Sequence, residues 1–167
     1  MNKIAKIAAI ALLSTLSSYA SAEDRICVNG EAMTINSVRF LGHVTNVYKQ
    51  FGQPIKKTEW YDSITNQNMT SLIYPGITFS TSNDQSGYDR VQRVVITKPG
   101  IRLPQNVQVG MPERLLHTIL GYDSQSARPL NDTVWRNCNC YCETTAYFKM
   151  NGSRKVSQIV LDYSGGY

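Results

Sequence analysis

Two phrases, Val47-Tyr-Lys-Gln-Phe-Gly-Gln-Pro54 and Leu116-His-Thr-Ile-Leu-Gly-Tyr-Asp123, decide the reading of this chain. Each closes an apolar helical pattern on a glycine. Each is followed, after a strand-rich stretch, by a basic residue and an aliphatic strand: Arg90-Val-Gln-Arg-Val-Val-Ile-Thr97 in the first case and Lys155-Val-Ser-Gln-Ile-Val-Leu-Asp162 in the second. Order and spacing are nearly kept, which is the mark of a duplicated supersecondary unit. The expectation is an α+β fold made of two tandem repeats, about 36–100 and 105–167. Each repeat would be a helix followed by a three- to four-stranded antiparallel sheet, with the helices packed on one sheet face.

The local signals fill in that plan. Val44, Val47, Tyr48 and Phe51 recur at helical spacing, Thr45 and His43 can cap, and Gly52-Gln-Pro54 stops the helix. Strands are expected at 57–61, 70–74, 77–80 and 90–97, with Pro75-Gly76 as a turn. Lys98-Pro-Gly-Ile-Arg-Leu-Pro104 reads as punctuation between the repeats. Pro112 and Glu113 suit a helix start, and Leu115, Leu116, Ile119 and Leu120 offer a buried stripe that ends at Gly121. Strands return at 133–136, 140–149 and 155–163, with Asn151-Gly152 as a tight hairpin turn.

The first residues carry a different message. Lys3 and Lys6 precede an apolar run from Ile7 to Leu16, and Ala20 and Ala22 give an A-x-A pattern. The run is too short to span a bilayer, so 1–22 reads as a secretory signal peptide cleaved after Ala22. The mature domain would be 23–167, periplasmic or secreted. No Cys follows the cut, so no lipid anchor and no membrane anchor are expected. Without Lys3 and Lys6 the formal net charge of +5 falls by two. A surplus that small and unclustered argues against a nucleic-acid partner.

Cys27, Cys138, Cys140 and Cys142 are even in number in an oxidising compartment, so they read as disulfides. Bridging neighbours in Cys138-Asn-Cys140-Tyr-Cys142 would bend together residues roughly 6.6 Å apart on one strand face. Cys27 to Cys140 with Cys138 to Cys142 avoids that strain and is the favoured pairing. The spacing lacks the C-x₂-C pairs of zinc modules, so no metal is expected.

Catalytic chemistry would have to come from His43, His117, the cysteines and scattered carboxylates such as Glu143. None forms a nucleophile and base set, so no catalytic residue and no cofactor are expected. Aromatic placement is the stronger signal. Trp60, Tyr61, Tyr74, Tyr88, Trp135, Tyr141, Tyr147 and Tyr163 fall on expected strands or hairpin edges, where such residues either fill cores or anchor interfaces. Alternation sends Trp60 and Tyr61 to opposite faces, so one of them should be exposed.

The helix phrase Val109-Gly-Met-Pro-Glu-Arg-Leu-Leu-His-Thr-Ile-Leu-Gly121, with its echo at 46–54, resembles that of the beta-lactamase-inhibitor-protein-like superfamily. That group holds tandem inhibitor proteins and small outer-membrane assembly lipoproteins. The resemblance runs from about residue 36 to the end. Pro112 stands where the family has a capping Ser or Thr, and the lipoprotein Cys is absent. The resemblance implies an exported, non-enzymatic protein that acts by contact with another protein of the cell envelope. It also places Asp84, Tyr88 and Asp89 on a protruding loop like the one tandem inhibitors insert into an enzyme's cleft. Partner contacts are therefore expected from Trp60, Tyr61, Asp84, Tyr88, Asp89, Trp135 and Tyr141. The expected role is inhibition of, or immunity against, an envelope-acting enzyme. An envelope-assembly or surface-organelle accessory role is the alternative, and a small hydrolase or thiol oxidoreductase is the third reading.

Overall fold

The computed structural model describes residues 33–63, 66–83, 89–120 and 143–164. Its centre is one antiparallel sheet of six strands in the order β3-β4-β5-β6-β8-β7. The strands are β3 (Lys56–Asp62), β4 (Gln67–Tyr74), β5 (Ile77–Asn83), β6 (Asp89–Ile96), β7 (Glu143–Met150) and β8 (Val156–Ser164). Two helices, α1 (Val44–Phe51) and α2 (Glu113–Leu120), a 3-10 turn at Pro104–Asn106, and a small hairpin, β1 (Thr34–Ile35) with β2 (Val38–Arg39), complete the described elements.

This arrangement corrects the expected tandem repeat of helix and sheet. The described residues after α2 supply two strands, and they build no sheet of their own. β8 pairs directly with β6, aligning Val94 with Leu161 and Ile96 with Ile159, and β7 follows at the edge. The reason is the free edge of β6. Left unpaired, its backbone groups would need another partner, and β8 supplies one while adding Ile159 and Leu161 to the same core. The first phrase ends α1 at Gly52, while Gly121 to Asp123 of the second lie outside the described residues.

Alternation divides the sheet. Leu72 and Tyr74 of β4, Ile77 and Phe79 of β5, Val94 and Ile96 of β6, Ile159 and Leu161 of β8, and Ala146 and Phe148 of β7 face one side, all buried. Val44 and Val47 of α1 and Leu116 of α2 join that same core, so this is the helix face. α1 is capped by His43, whose Nδ1 accepts from the Thr45 amide at 3.2 Å, so the histidine and not the threonine is the cap. Its C-terminal end is held where the Tyr74 hydroxyl donates to the Gly52 carbonyl and Phe51 packs between Tyr74 and Phe79.

Three local expectations also change. Leu115 is 48% exposed while Leu116 is fully buried, because neighbouring helical positions diverge by about 100° and this short helix buries a narrow stripe. The stretch read as punctuation, Lys98 to Pro104, sends Ile101 and Leu103 into the core while Lys98, Pro99, Gly100 and Arg102 stay exposed, and the Asn36 side chain accepts from the Arg102 amide. The β7–β8 turn is not a two-residue turn at Asn151-Gly152. It spans 151–155, where Asn151 Oδ1 accepts from the amides of Ser153 and Lys155 and Arg154 takes the left-handed conformation.

Candidate binding face

The other side of the sheet is built from the same alternation and has a different chemistry. Thr58 and Trp60 of β3, Gln67, Met69, Ser71 and Ile73 of β4, and Thr78, Ser80 and Ser82 of β5 face it. So do Arg93 and Val95 of β6, Val160 and Asp162 of β8, and Tyr147 and Lys149 of β7. Register aligns Ser71 with Ser80, Ser80 with Arg93, and Arg93 with Asp162. A polar row therefore crosses four adjacent strands, beside Leu72, Phe79, Val94 and Leu161, which are buried on the helix face.

Side-chain contacts join the row in two parts, Trp60 with Ser71 and Ser80 at one end and Arg93 with Asp162 at the other. The Trp60 indole N–H donates to Ser71 Oγ at 2.9 Å, and Ser71 Oγ lies 3.1 Å from Ser80 Oγ. Ser71 and Ser80 are buried, so each hydroxyl needs this partner. Trp60 stays 38% exposed, which leaves much of its ring accessible while its N–H is tied to the sheet. Farther along, Arg93 Nη1 stands 3.7 Å from Asp162 Oδ2. Burial pushes the Asp162 carboxyl up, Arg93 pulls it down, and the Asp62 carboxylate adds to the rise, which is the net direction.

Neighbouring strands twist relative to one another, so a sheet of six strands coils. Two bulges contribute to the coiling. Gln92 is the extra residue where Ser80 pairs with Arg93 and Thr81 with Val91, and Ser157 is extra where Lys149 pairs with Gln158 and Met150 with Val156. Between these bulges lies a groove of about 510 Å³, lined by Arg93, Tyr147, Lys149, Val160 and Asp162 with Phe148 and Met150. That volume suits a few side chains or a small ligand. Its floor is apolar at Val160, its wall is the 39% exposed Tyr147, and its rim carries the cations Arg93 and Lys149.

The expected contact residues separate on this structure. Trp60 belongs to the second face. Tyr61 points to the helix side but is 57% exposed, because it sits about 13 Å along β3 from Lys57, whose ammonium lies over the α1 residue Tyr48. Both aromatics are thus exposed, where alternation alone had allowed for one. Asp89 opens β6 next to Arg90 and also falls on the helix side. Asp84, Tyr88, Trp135, Tyr141 and the cysteines Cys27, Cys138, Cys140 and Cys142 lie outside the described residues. Reasoning on the sequence missed Ser71, Ser80, Arg93, Lys149 and Asp162. The available signal was charge and hydroxyl at the centre of aliphatic strands, Arg93 before Val94 and Val95 and Asp162 after Val160 and Leu161.

His117, weighed as a base, lies 3.8 Å from Glu113, and Arg154 also donates to that carboxylate. Arg154 is first in holding the Glu113 carboxyl below its ordinary value. The group joins α2 to the β7–β8 turn. Among the described residues no three His, Cys, Asp or Glu side chains converge as a metal site. Comparison of the chain with protein-family models, with curated proteins and with solved structures finds no match.

Proposed function

We propose that this chain is an exported, non-enzymatic protein-binding module whose second sheet face takes the partner, and that it acts by blocking an envelope enzyme. The observation that carries the reading is the pairing of Trp60, tied to Ser71 yet exposed, with the Tyr147 groove on one coiled surface. Rigid, half-exposed Trp and Tyr beside an Arg are the usual anchors of protein interfaces. The leader read in residues 1–22 supports export, and a partner in the cell envelope follows from it.

Capture from a periplasmic extract tests the proposal. Chain 23–167 is compared with Trp60→Ala and Tyr147→Ala, with quantitative mass spectrometry of what is retained and an activity assay of any retained enzyme. The expected result is one protein retained by the parent, lost at least tenfold from each variant, and inhibited by the parent alone. Retention of the same protein by all three chains would overturn the assignment of the face. A retained enzyme that stays fully active would overturn inhibition.

A further inference from the structure

We propose that two copies of this chain pair through their β3 strands, antiparallel about a two-fold axis at Thr58, and so join their sheets into one. The pairing goes beyond the partner face and does not depend on it.

β3 begins the sheet order and pairs with β4 alone among the described strands. The chain is described on both sides of it, from α1 through residues 52–55 before the strand and at Ser63 after it. Lys56, Lys57, Glu59, Trp60 and Tyr61 are exposed, and alternation takes them to both faces, so the strand lies open to solvent. The bond from the Trp60 indole to Ser71 draws that ring over β4 and clears the outer side. Pro54, without an N–H, ends the edge that another strand can use.

An open edge offers N–H and C=O groups to a further strand, and lysines on it normally repel a second copy. Here the order of charges reverses that effect. A two-fold normal to the sheet sets residues of the same face opposite each other. With the axis at Thr58, Lys57 of each copy meets Glu59 of the other, Lys56 meets Trp60, Ile55 meets Tyr61, and Thr58 meets its own copy. Opposite charges, a cation beside an aromatic ring, apolar pairs and paired threonines all stabilise neighbouring antiparallel strands. Glu59 has no ion pair within its own chain among the described residues, and the second copy supplies one. Ile55 at 72% and Tyr61 at 57% are the most exposed large hydrophobic side chains among the described residues, and the pairing covers both.

Other registers fit less well. An axis at Lys57 sets that lysine against its own copy, an axis at Glu59 does the same to the glutamate, and an axis at Trp60 leaves Lys57 across from Ser63. A pairing over residues 55–61 covers less than the ~1,200 Å² of a standard interface, so the dimer is a weak one. The Tyr147 groove lies at the far end of the sheet order and stays free.

Sedimentation velocity of chain 23–167 across about a hundredfold range of concentration tests this, since a dimer must grow with concentration by mass action. The parent should shift from monomer toward dimer over that range. K57E sets glutamates against each other on both sides of the axis, and E59K does the same with lysines, so each should raise the dimer Kd about tenfold or more. In an equimolar mixture of the two variants every acidic edge meets a basic one, and the mixture should dimerise within about threefold of the parent. Both positions are exposed, so neither variant removes a core contact. A parent that stays monomeric throughout would overturn the proposal. So would a parent dimer that both single variants retain, or a mixture that associates no better than its components.

Discussion

Ser71 is the middle member of the hydroxyl row, and removing its oxygen should cost more than removing the one at its end. In Ser71→Ala two hydrogen bonds disappear, the one from Trp60 and the one shared with Ser80. Each is worth about 0.5 to 1.5 kcal/mol net, and the Trp60 bond belongs at the low end because a 38% exposed indole can turn to water. Ser80 is 5% exposed and its hydroxyl is then left buried and unpaired, so a penalty of ~1 to 3 kcal/mol takes the place of the net value of that bond. With ~0.5 kcal/mol for the Trp60 bond, the total is about 1.5 to 3.5 kcal/mol. Ser80→Ala loses one bond while Ser71 keeps Trp60, so it should cost about 1 kcal/mol. The double variant orphans nothing, and its cost should lie below the sum of the two singles by about 1 to 2 kcal/mol. Urea unfolding of the three variants and the parent, monitored by circular dichroism so that Trp60 fluorescence does not bias the signal, measures these values. Additive losses, or a Ser71→Ala no worse than Ser80→Ala, would show that the row is not a bonded network.

Four other outcomes follow from the same structure. Gly76 sits at φ 86° after Pro75, and a Cβ there would come 2.3 Å from the Lys98 Cβ, so Gly76→Ala should lose about 2 to 3 kcal/mol in thermal unfolding, with Pro75→Ala losing far less. His43→Ala should cost about 1 kcal/mol and His43→Asn less, because Asn restores a cap acceptor for α1; equal losses in urea unfolding would deny the cap. Deleting Gln92 removes the bulge on β6 and should flatten the sheet beside the groove, weakening capture of the partner that depends on Trp60 and Tyr147; unchanged capture would separate the bulge from the groove. Asp162 holds its proton more tightly folded than unfolded, so its penalty is present in full above the raised value and fades as pH falls toward the unfolded value of about 3.9. Asp162→Asn should therefore be more stable than the parent at neutral pH, with the difference shrinking on acidification; a constant difference across that range in paired urea titrations would contradict it.

What could be read from the residues was whatever neighbours in sequence decide. Gly52 ends α1, Pro75-Gly76 turns β4 into β5, and the aliphatic runs that form β6 and β8 announce themselves, because capping, turn chemistry and alternation act within a few positions. The partnership of β6 with β8 was hidden, since pairing depends on which edge is free once the rest has folded. That one pairing turned an expected pair of sheets into a single sheet. The hairpin of Thr34–Ile35 and Val38–Arg39 was also missed. Its strands are two residues each, although Asn36 and Ser37 both adopt the left-handed conformation that tight hairpin turns require. Leu115 misled for the opposite reason: its composition fits a buried stripe, and only the rotation between consecutive helical positions puts it outside.

The candidate face shows the same division more sharply. Trp60 was visible as an aromatic on an edge strand, but Ser71, Ser80, Arg93 and Asp162 are unremarkable until register lines them up. Each sits in a strand whose alternate residues are fully committed to the core: Leu72 beside Ser71, Phe79 beside Ser80, Val94 beside Arg93, Leu161 beside Asp162. A slip of one residue in any of these strands would carry the polar group into the helix-side core and an aliphatic one out of it. Core burial thus fixes the register, and the register alone assembles the polar row. The face needs little stabilisation of its own to stay ordered, and it can keep an exposed tryptophan, a long Arg–Asp contact and an exposed lysine that a free-standing site would not hold in place. Substitutions on the second face should accordingly act mainly on binding where they touch exposed groups such as Tyr147 and Lys149. They should act on folding where they touch the buried hydroxyls.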